Sequence, residues 1–314
     1  MSRPRPAPAL AAPALLNRWP VLLGSFLFLL IPFFLPIPQT LRRHPLIGHL
    51  GDQVHVPFLM ALTLLFYWRG PLTGRLKEAI LAGMILGGSI EVLQLLVGRA
   101  ALMNDFFMDL AGIGLATGLV LWKGHQQRAG LALIILMVVA LTGQLYFLPG
   151  LVLGSYHSQK SFPLISDFEG PHEKWLWKET DGSKIELVKN HDGTVLRLEG
   201  GPPSRWPGAQ MRYFPHDWTD YSTLKVDVRH VTAGQEQVPF TLRLDDYQSR
   251  LDQTWVSDWY TATSEWKTYS IHCADRQVRH GERLLNLKDL SYILVVLSDK
   301  QDSTVIEIDN LRLE

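Results

Sequence analysis

From residue 129 to residue 153 the chain carries no charged side chain, a run longer than the core helix of an ordinary soluble domain uses. A bilayer core of about 30 Å needs roughly 20 apolar residues in helix, so this stretch reads as a membrane span. Residues 19–38 are equally free of charge, and prolines there are tolerable where neighbouring helices re-satisfy the backbone. Three further stretches, at about 46–68, 79–97 and 105–122, are apolar but interrupted by polar groups. For these three a soluble helical bundle is the alternative. The expectation is an α-helical transmembrane bundle of five spans over residues 18–155.

Beyond Ser161 the character changes. Seven of the ten tryptophans lie there, among charged and polar residues, so a mean hydropathy of +0.06 averages two unlike halves. The charge balance, 30 basic against 30 acidic, gives no reason to expect nucleic acid as a partner. Cys273 is the lone cysteine; it closes no intrachain disulfide and reads as a buried structural thiol. Residues 1–17, rich in Pro and Ala, read as a disordered cytoplasmic tail. Their small residues precede the apolar run, where a signal-peptide cleavage site would follow it.

Basic residues set the expected orientation. With the N-terminus in the cytoplasm, that side receives Arg3, Arg5, Arg18, Arg69, Arg75, Lys77, Lys123 and Arg128. The outer short loops receive Arg42, Arg43 and Arg99. Five spans then place the C-terminal half outside the cytoplasm of a bacterial inner membrane, with the lipid bilayer itself as a partner.

The polar interruptions fall at one level. Asp52 and His55 lie three residues apart near the outer end of the second span, and Glu91 and Gln94 repeat that spacing in the third. Arg99 follows, and Asp105 and Asp109 open the fourth span from the same side. At about 1.5 Å of rise per residue, Glu91 lies ~9 Å inside its helix end. A charge at the centre of a spanning helix is unfavourable by about 2.5–3.5 kcal/mol, so such groups pair, neutralise or face water. The set reads as an outward pocket with His55 oriented by Asp52. A polar network that only fixes helix packing and a metal site of His55 with carboxylates are the alternatives.

The combination Asp52-Gln53-Val54-His55, Glu91-x-x-Gln94, Arg99, Asp105 and Gly112 resembles the VanZ-like family of small multi-span bacterial membrane proteins, over roughly residues 20–125. Gln53 stands where that family usually has Lys, and Asp109 where it usually has Asn. The resemblance implies a pocket rather than a reaction.

In the C-terminal half, Leu224-Lys-Val-Asp-Val-Arg229, Phe240-Thr-Leu-Arg-Leu-Asp245 and Val305-Ile-Glu-Ile-Asp309 alternate apolar and polar residues, as half-buried strands do. Val195–Leu198 and residues 292–297 add two more. Turn signals stand between them at Asp181-Gly182, Asp192-Gly193, Gly200-Gly201-Pro202-Pro203 and Ala233-Gly234. The expectation is an all-β sandwich of jelly-roll type over 166–314, after a linker at 156–165.

Asp167-Phe-Glu-Gly170, Asp217-Trp-Thr-Asp-Tyr-Ser222, Trp266 and the closing Ile308-Asp-Asn-Leu-Arg-Leu313 resemble galactose-binding-like jelly rolls, the fold of many carbohydrate-binding modules. That resemblance implies a structural calcium, with Glu169 and Asp309 as its oxygen ligands. Sugar rings stack on exposed aromatics. Trp255 and Trp259, near Asp245, Asp246 and Asp258, and Trp206 in a Pro-rich loop are the candidate platform, while most of the other tryptophans fill the core.

Three functions fit. The first is a cell-envelope accessory protein binding a glycan, a lipid-linked saccharide or an envelope protein. The second is an intramembrane enzyme acting on a lipid headgroup or lipid-linked sugar, with His55 as general acid/base. The third is an ion-coupled carrier. No phosphate loop, nucleophile elbow, Cys/His zinc signature or internal repeat is present.

Overall fold

The computed structural model describes residues 24, 44–50, 52–96, 103–191, 193–201, 206–297 and 304–314. They divide into a helical unit that ends at Leu145 and a second unit made of His44–Leu46 and Tyr146–Glu314.

In the helical unit a 3-10 turn (Asp52–Val54) leads into α1 (His55–Trp68), followed by α2 (Leu76–Leu96), α3 (Met103–Lys123) and α4 (Gln127–Leu145). Helix α1 stops where Arg69 N and Gly70 N both donate to Leu65 O, at 2.9 and 2.8 Å. Phe58, Leu59 and Leu62 of α1 pack with Ile90 of α2 and Ile113 of α3 to form the core. The helices cross closely because small residues stand at the crossings. A Cβ on Gly112 of α3 would strike the Val56 carbonyl oxygen of α1, and one on Gly130 of α4 would strike the Trp122 amide of α3. Such contacts let the backbones approach closely. The outer faces are apolar: Leu81 and Ile85 on α2 and Ile135 and Val139 on α4 are exposed.

Two described helical stretches, 105–123 and 127–161, are long and apolar enough to cross a membrane by length and composition. The described residues therefore do not support a five-span bundle. Helix α1 has only 14 residues, and α2 carries Lys77, Glu78 and Glu91 along its 21. The expected first span, 19–38, lies outside the described residues apart from Gly24.

The second unit opens with α5 (Leu148–Ser161), so residues 156–161 continue a helix. Helix α5 lies against a 3-10 turn (Glu173–Leu176) through Gly150 and Gly154, whose missing Cβ atoms make room for the Trp175 ring and for Leu176. Eleven strands follow: β1 (Leu164–Ser166), β2 (Trp177–Thr180), β3 (Lys184–Asn190), β4 (Gly193–Gly200), β5 (Gly208–Met211), β6 (Thr223–His230), β7 (Val238–Asp246), β8 (Val256–Ala262), β9 (Lys267–His272), β10 (Leu290–Leu297) and β11 (Thr304–Leu313). One sheet runs β3-β4-β11-β6-β9, with β1 also on β11; the other runs β2-β5-β10-β7-β8. All pairings are antiparallel, giving a two-sheet sandwich of jelly-roll type.

Alternation fills the core. Leu196, Leu198, Val226, Val228, Ile306 and Ile308 point inward from the first sheet, and Phe240, Leu242, Leu244, Ile293 and Val295 from the second, all at 0% exposure. Each such side chain contributes roughly 1.5–3 kcal/mol. Trp218 is fully buried and Trp177 nearly so, whereas Trp175, Trp255 and Trp266 are only partly buried, so fewer tryptophans fill the core than expected. Cys273 is buried and its thiol is pushed up to about 11 by burial, which leaves it inert.

Candidate functional site

Two places gather chemistry, one in each unit. In the helical unit His55, the first residue of α1, is buried and donates from Nδ1 to Asp109 Oδ1 of α3 at 2.8 Å. Glu91 Oε1 of α2 lies 3.9 Å from the same nitrogen. His55, Glu91 and Asp105 also bring one ligand atom each to within 4.8 Å of one another, so they could hold a metal ion. All four residues are at most 9% exposed. Gly87 of α2 makes the room: a Cβ there would lie 2.5 Å from Asp109 Oδ2.

Donation from Nδ1–H to the Asp109 carboxyl fixes the orientation of the ring. That arrangement suits a general base or a metal ligand with a carboxylate behind it. The described partner of His55 is thus Asp109, on another helix. The side chains of Asp52 and Gln94, and the whole of Arg99, lie outside the described residues. The local i, i+3 spacing that nominates Asp52 holds no information about which residue of α3 faces α1, because that depends on the close crossing at Gly112.

In the sandwich, strand alternation separates the faces of the second sheet. Phe240, Leu242 and Leu244 enter the core, so Thr241, Arg243 and Asp245 take the outer face of β7. On β8, Val256 enters the core and Ser257 and Trp259 take the outer face, with Trp259 opposite Thr241 and Ser257 opposite Arg243. Leu294 and Val296 of β10 and Gln210 of β5 continue that face.

On it two large aromatics meet. Trp206 and Trp259 are 52% and 50% exposed, with ring centroids 6.0 Å apart at 68°. The Trp206 backbone is tied down by its N–H, which donates to Asp181 Oδ2 at 2.7 Å. Trp255 is half-buried and differently used: the Arg243 guanidinium lies over its ring at 4.3 Å, and His280 packs beside it at 5.1 Å. Arg243 in turn makes a bidentate pair with Asp245, both bonds at 2.7 Å. Of the carboxylates near these rings in sequence, Asp246 is bound by Arg283 and Asp258 by Arg276. Sequence reasoning missed Arg243, Gln210 and Thr241. Their place in the outward register of the sheet was the available signal.

Glu169 and Asp309, the nominated calcium ligands, belong to no group of three metal-capable side chains whose ligand atoms all come within 4.8 Å, among the described residues. They are nonetheless neighbours electrostatically. Burial, with the nearby charges of Asp227, Glu169 and Asp167, raises the Asp309 carboxyl to about 6. Glu169 Oε1 accepts from Thr194 N at 3.1 Å.

No family model matches the chain, and no curated protein matches it. Solved structures do. An exo-β-agarase matches at a TM-score of 0.40 and 14% identity over 48% of this chain, which spans only 25% of the agarase chain. A family 11 carbohydrate-binding module from Clostridium thermocellum, in complex with a β-1,3-1,4-mixed-linked tetrasaccharide, matches at 0.37 and 18% identity over 48% of this chain and 93% of the module. The CBM22-1 xylan-binding domain from Paenibacillus barcinonensis Xyn10C matches at 0.32 and 15% identity over 47% of this chain and 90% of that domain.

Proposed function

We propose that the chain is a membrane-anchored glycan-binding protein of the bacterial cell envelope, with the β-sandwich presented outside the cytoplasm. The observation that carries the reading is the pair of half-exposed rings, Trp206 and Trp259, 6.0 Å apart on the outward face of one sheet. An indole on a strand and one on a loop tied to Asp181 lose little conformational freedom on binding and offer flat apolar surface to the C–H face of a sugar. Arg243, fixed by Asp245 and stacked on Trp255, and Gln210 add polar groups on the same face. Membrane anchoring is supported by the charge-free run at 129–153 and by the apolar outer faces of α2 and α4. A glycan array probed with the full chain in detergent checks the reading. Binding to one saccharide class, lost in Trp206→Ala and Trp259→Ala, is expected; no binding to any saccharide removes it.

A second reading is favoured by the buried His55–Asp109 pair with Glu91 and Asp105 beside it. In it the helical unit, whose motif resembles the VanZ-like family, acts on a lipid headgroup or lipid-linked sugar. His55 Nε2 takes or delivers the proton and Asp109 orients the ring. Complementation of a deletion strain distinguishes it. His55→Ala and Glu91→Gln should fail to restore function although inserted at normal levels, and full restoration by both would eliminate the enzymatic reading.

A further inference from the structure

A second cluster of metal-capable side chains stands at the junction of α5 and the sandwich and shares no residue with the two sites described above. His157 projects from α5, His172 precedes the 3-10 turn, and Glu173 is the first residue of that turn. Each offers one ligand atom, and these atoms all lie within 4.8 Å of one another. The two imidazoles meet edge to face, with centroids 5.2 Å apart at 70°. Helix α5 is brought to this place by Gly154, whose missing Cβ leaves room for the His172 carbonyl oxygen at 2.9 Å.

We propose that His157, His172 and Glu173 form a binding site for a zinc-class divalent cation that staples α5 to the turn opening the β-sandwich. Three features of the cluster fit that ion. Two imidazole nitrogens and one carboxylate oxygen are the donor set of a three-ligand zinc site, whose fourth position water fills. The donors are held in advance. Glu173 Oε2 accepts from Ser166 Oγ at 2.5 Å, Asp167 N at 3.1 Å and Phe168 N at 3.0 Å, while Oε1 accepts only from Gly170 N at 3.1 Å. A carboxylate oxygen has two lone pairs, so Oε1 keeps one directed away from the turn. Orientation of a ligand by surrounding hydrogen bonds is the usual second layer of a metal site. Finally, His172 Nε2 is buried and makes no hydrogen bond, an arrangement that leaves a strong acceptor or donor unsatisfied unless something binds it. His157 and His172 are partly exposed, which gives the ion a path in. A hard cation such as calcium or magnesium would prefer oxygens alone and is excluded by the two imidazoles.

The proposal is independent of glycan binding and of the His55 cluster. Its test uses the full chain in detergent, purified without a polyhistidine tag, stripped with EDTA and then loaded with Zn²⁺ or Co²⁺. Elemental analysis should find about one ion per chain lost in His157→Ala and in His172→Ala, but retained in His191→Ala. The intense visible bands of four-coordinate Co²⁺ should disappear with the same two variants. His157 lies on a helix surface where Ala is well tolerated, so it decides the matter should His172→Ala fail to fold. Equal metal content and unchanged Co²⁺ bands in wild type and His157→Ala would overturn the site, as would a wild-type chain that binds no metal.

Discussion

The two units handle buried carboxylates in opposite ways. In the sandwich three such groups meet arginine: Glu307 lies between Arg197 and Arg229 at 2.7 and 2.6 Å, Asp245 is forked by Arg243, and Asp246 is gripped by Arg283, while Glu173 is held by Ser166 Oγ and backbone N–H groups. In the helical unit the described partner of Asp109 is a histidine. Arginine never gives up its proton under ordinary conditions, so those pairs are permanent struts. Histidine titrates near neutrality, so its pair can change state. The contrast sets fixed-charge pairs in the sandwich against a histidine pair in the helical unit.

The largest effect that sharpens this contrast is expected at Arg283. It donates to Asp246, which is fully buried, and to Asp252 and Thr254, tying the 276–286 region to β7. Arg283→Met should destabilise the sandwich by about 3 kcal/mol, because a buried carboxylate loses its charge partner. Urea unfolding followed by tryptophan fluorescence measures it, and an unchanged midpoint would show that the pair is no strut. Next comes Gly87→Ala in the helical unit, where the new methyl would press on Asp109. A loss of roughly 1–3 kcal/mol in detergent stability is expected from overpacking, whereas Gly88→Ala, with open space around it, should change little.

The pH dependence follows with its sign. Burial alone would raise the Glu307 pKa, but Arg197 and Arg229 outweigh it and hold the carboxyl below its ordinary 4.5. A folded-state pKa below the unfolded one adds stability above about 4.5 and loses it as the pH falls through the folded value. The melting temperature of the sandwich should therefore drop on acidification below that point, and Glu307→Gln should flatten the profile. A profile identical in wild type and variant would remove Glu307 from the account. The smallest stability effect belongs to the exposed rings. Trp206→Ala and Trp259→Ala should change unfolding by only about 0.5 kcal/mol each, as surface substitutions do. A large loss would mean that the rings are structural and would weaken the platform.

How much of this was legible in the sequence depends on the range of the interaction. The alternation in 224–229, 240–245 and 305–309 marks strands that the structure extends to Thr223–His230, Val238–Asp246 and Thr304–Leu313. Period two is a local property, and burial on one face enforces it. Strands β2 and β5, four residues each, carry too little pattern to stand out. The second expected span, at about 46–68, is interrupted by polar groups, and α1 begins only at His55 behind a 3-10 turn. Asp181-Gly182 shows its turn signal directly, both residues having positive φ. Exact partners across the fold were harder: the sequence groups Asp109 with His55 in one polar set without showing that the two side chains pair, and nothing near Trp255 points to the register that lays Arg243 over it. The pairing of Trp206 with Trp259 likewise required two loops and a sheet to converge.

The central claim is that the Trp206–Trp259 face binds sugar, and intrinsic fluorescence of those two rings reports on it directly. The full chain in detergent should show saturable quenching or shift on titration with the saccharide class found on the array, reduced at least about tenfold in affinity by Trp259→Ala with the melting temperature unchanged. Binding of equal strength in the Trp206→Ala, Trp259→Ala double variant would contradict the account.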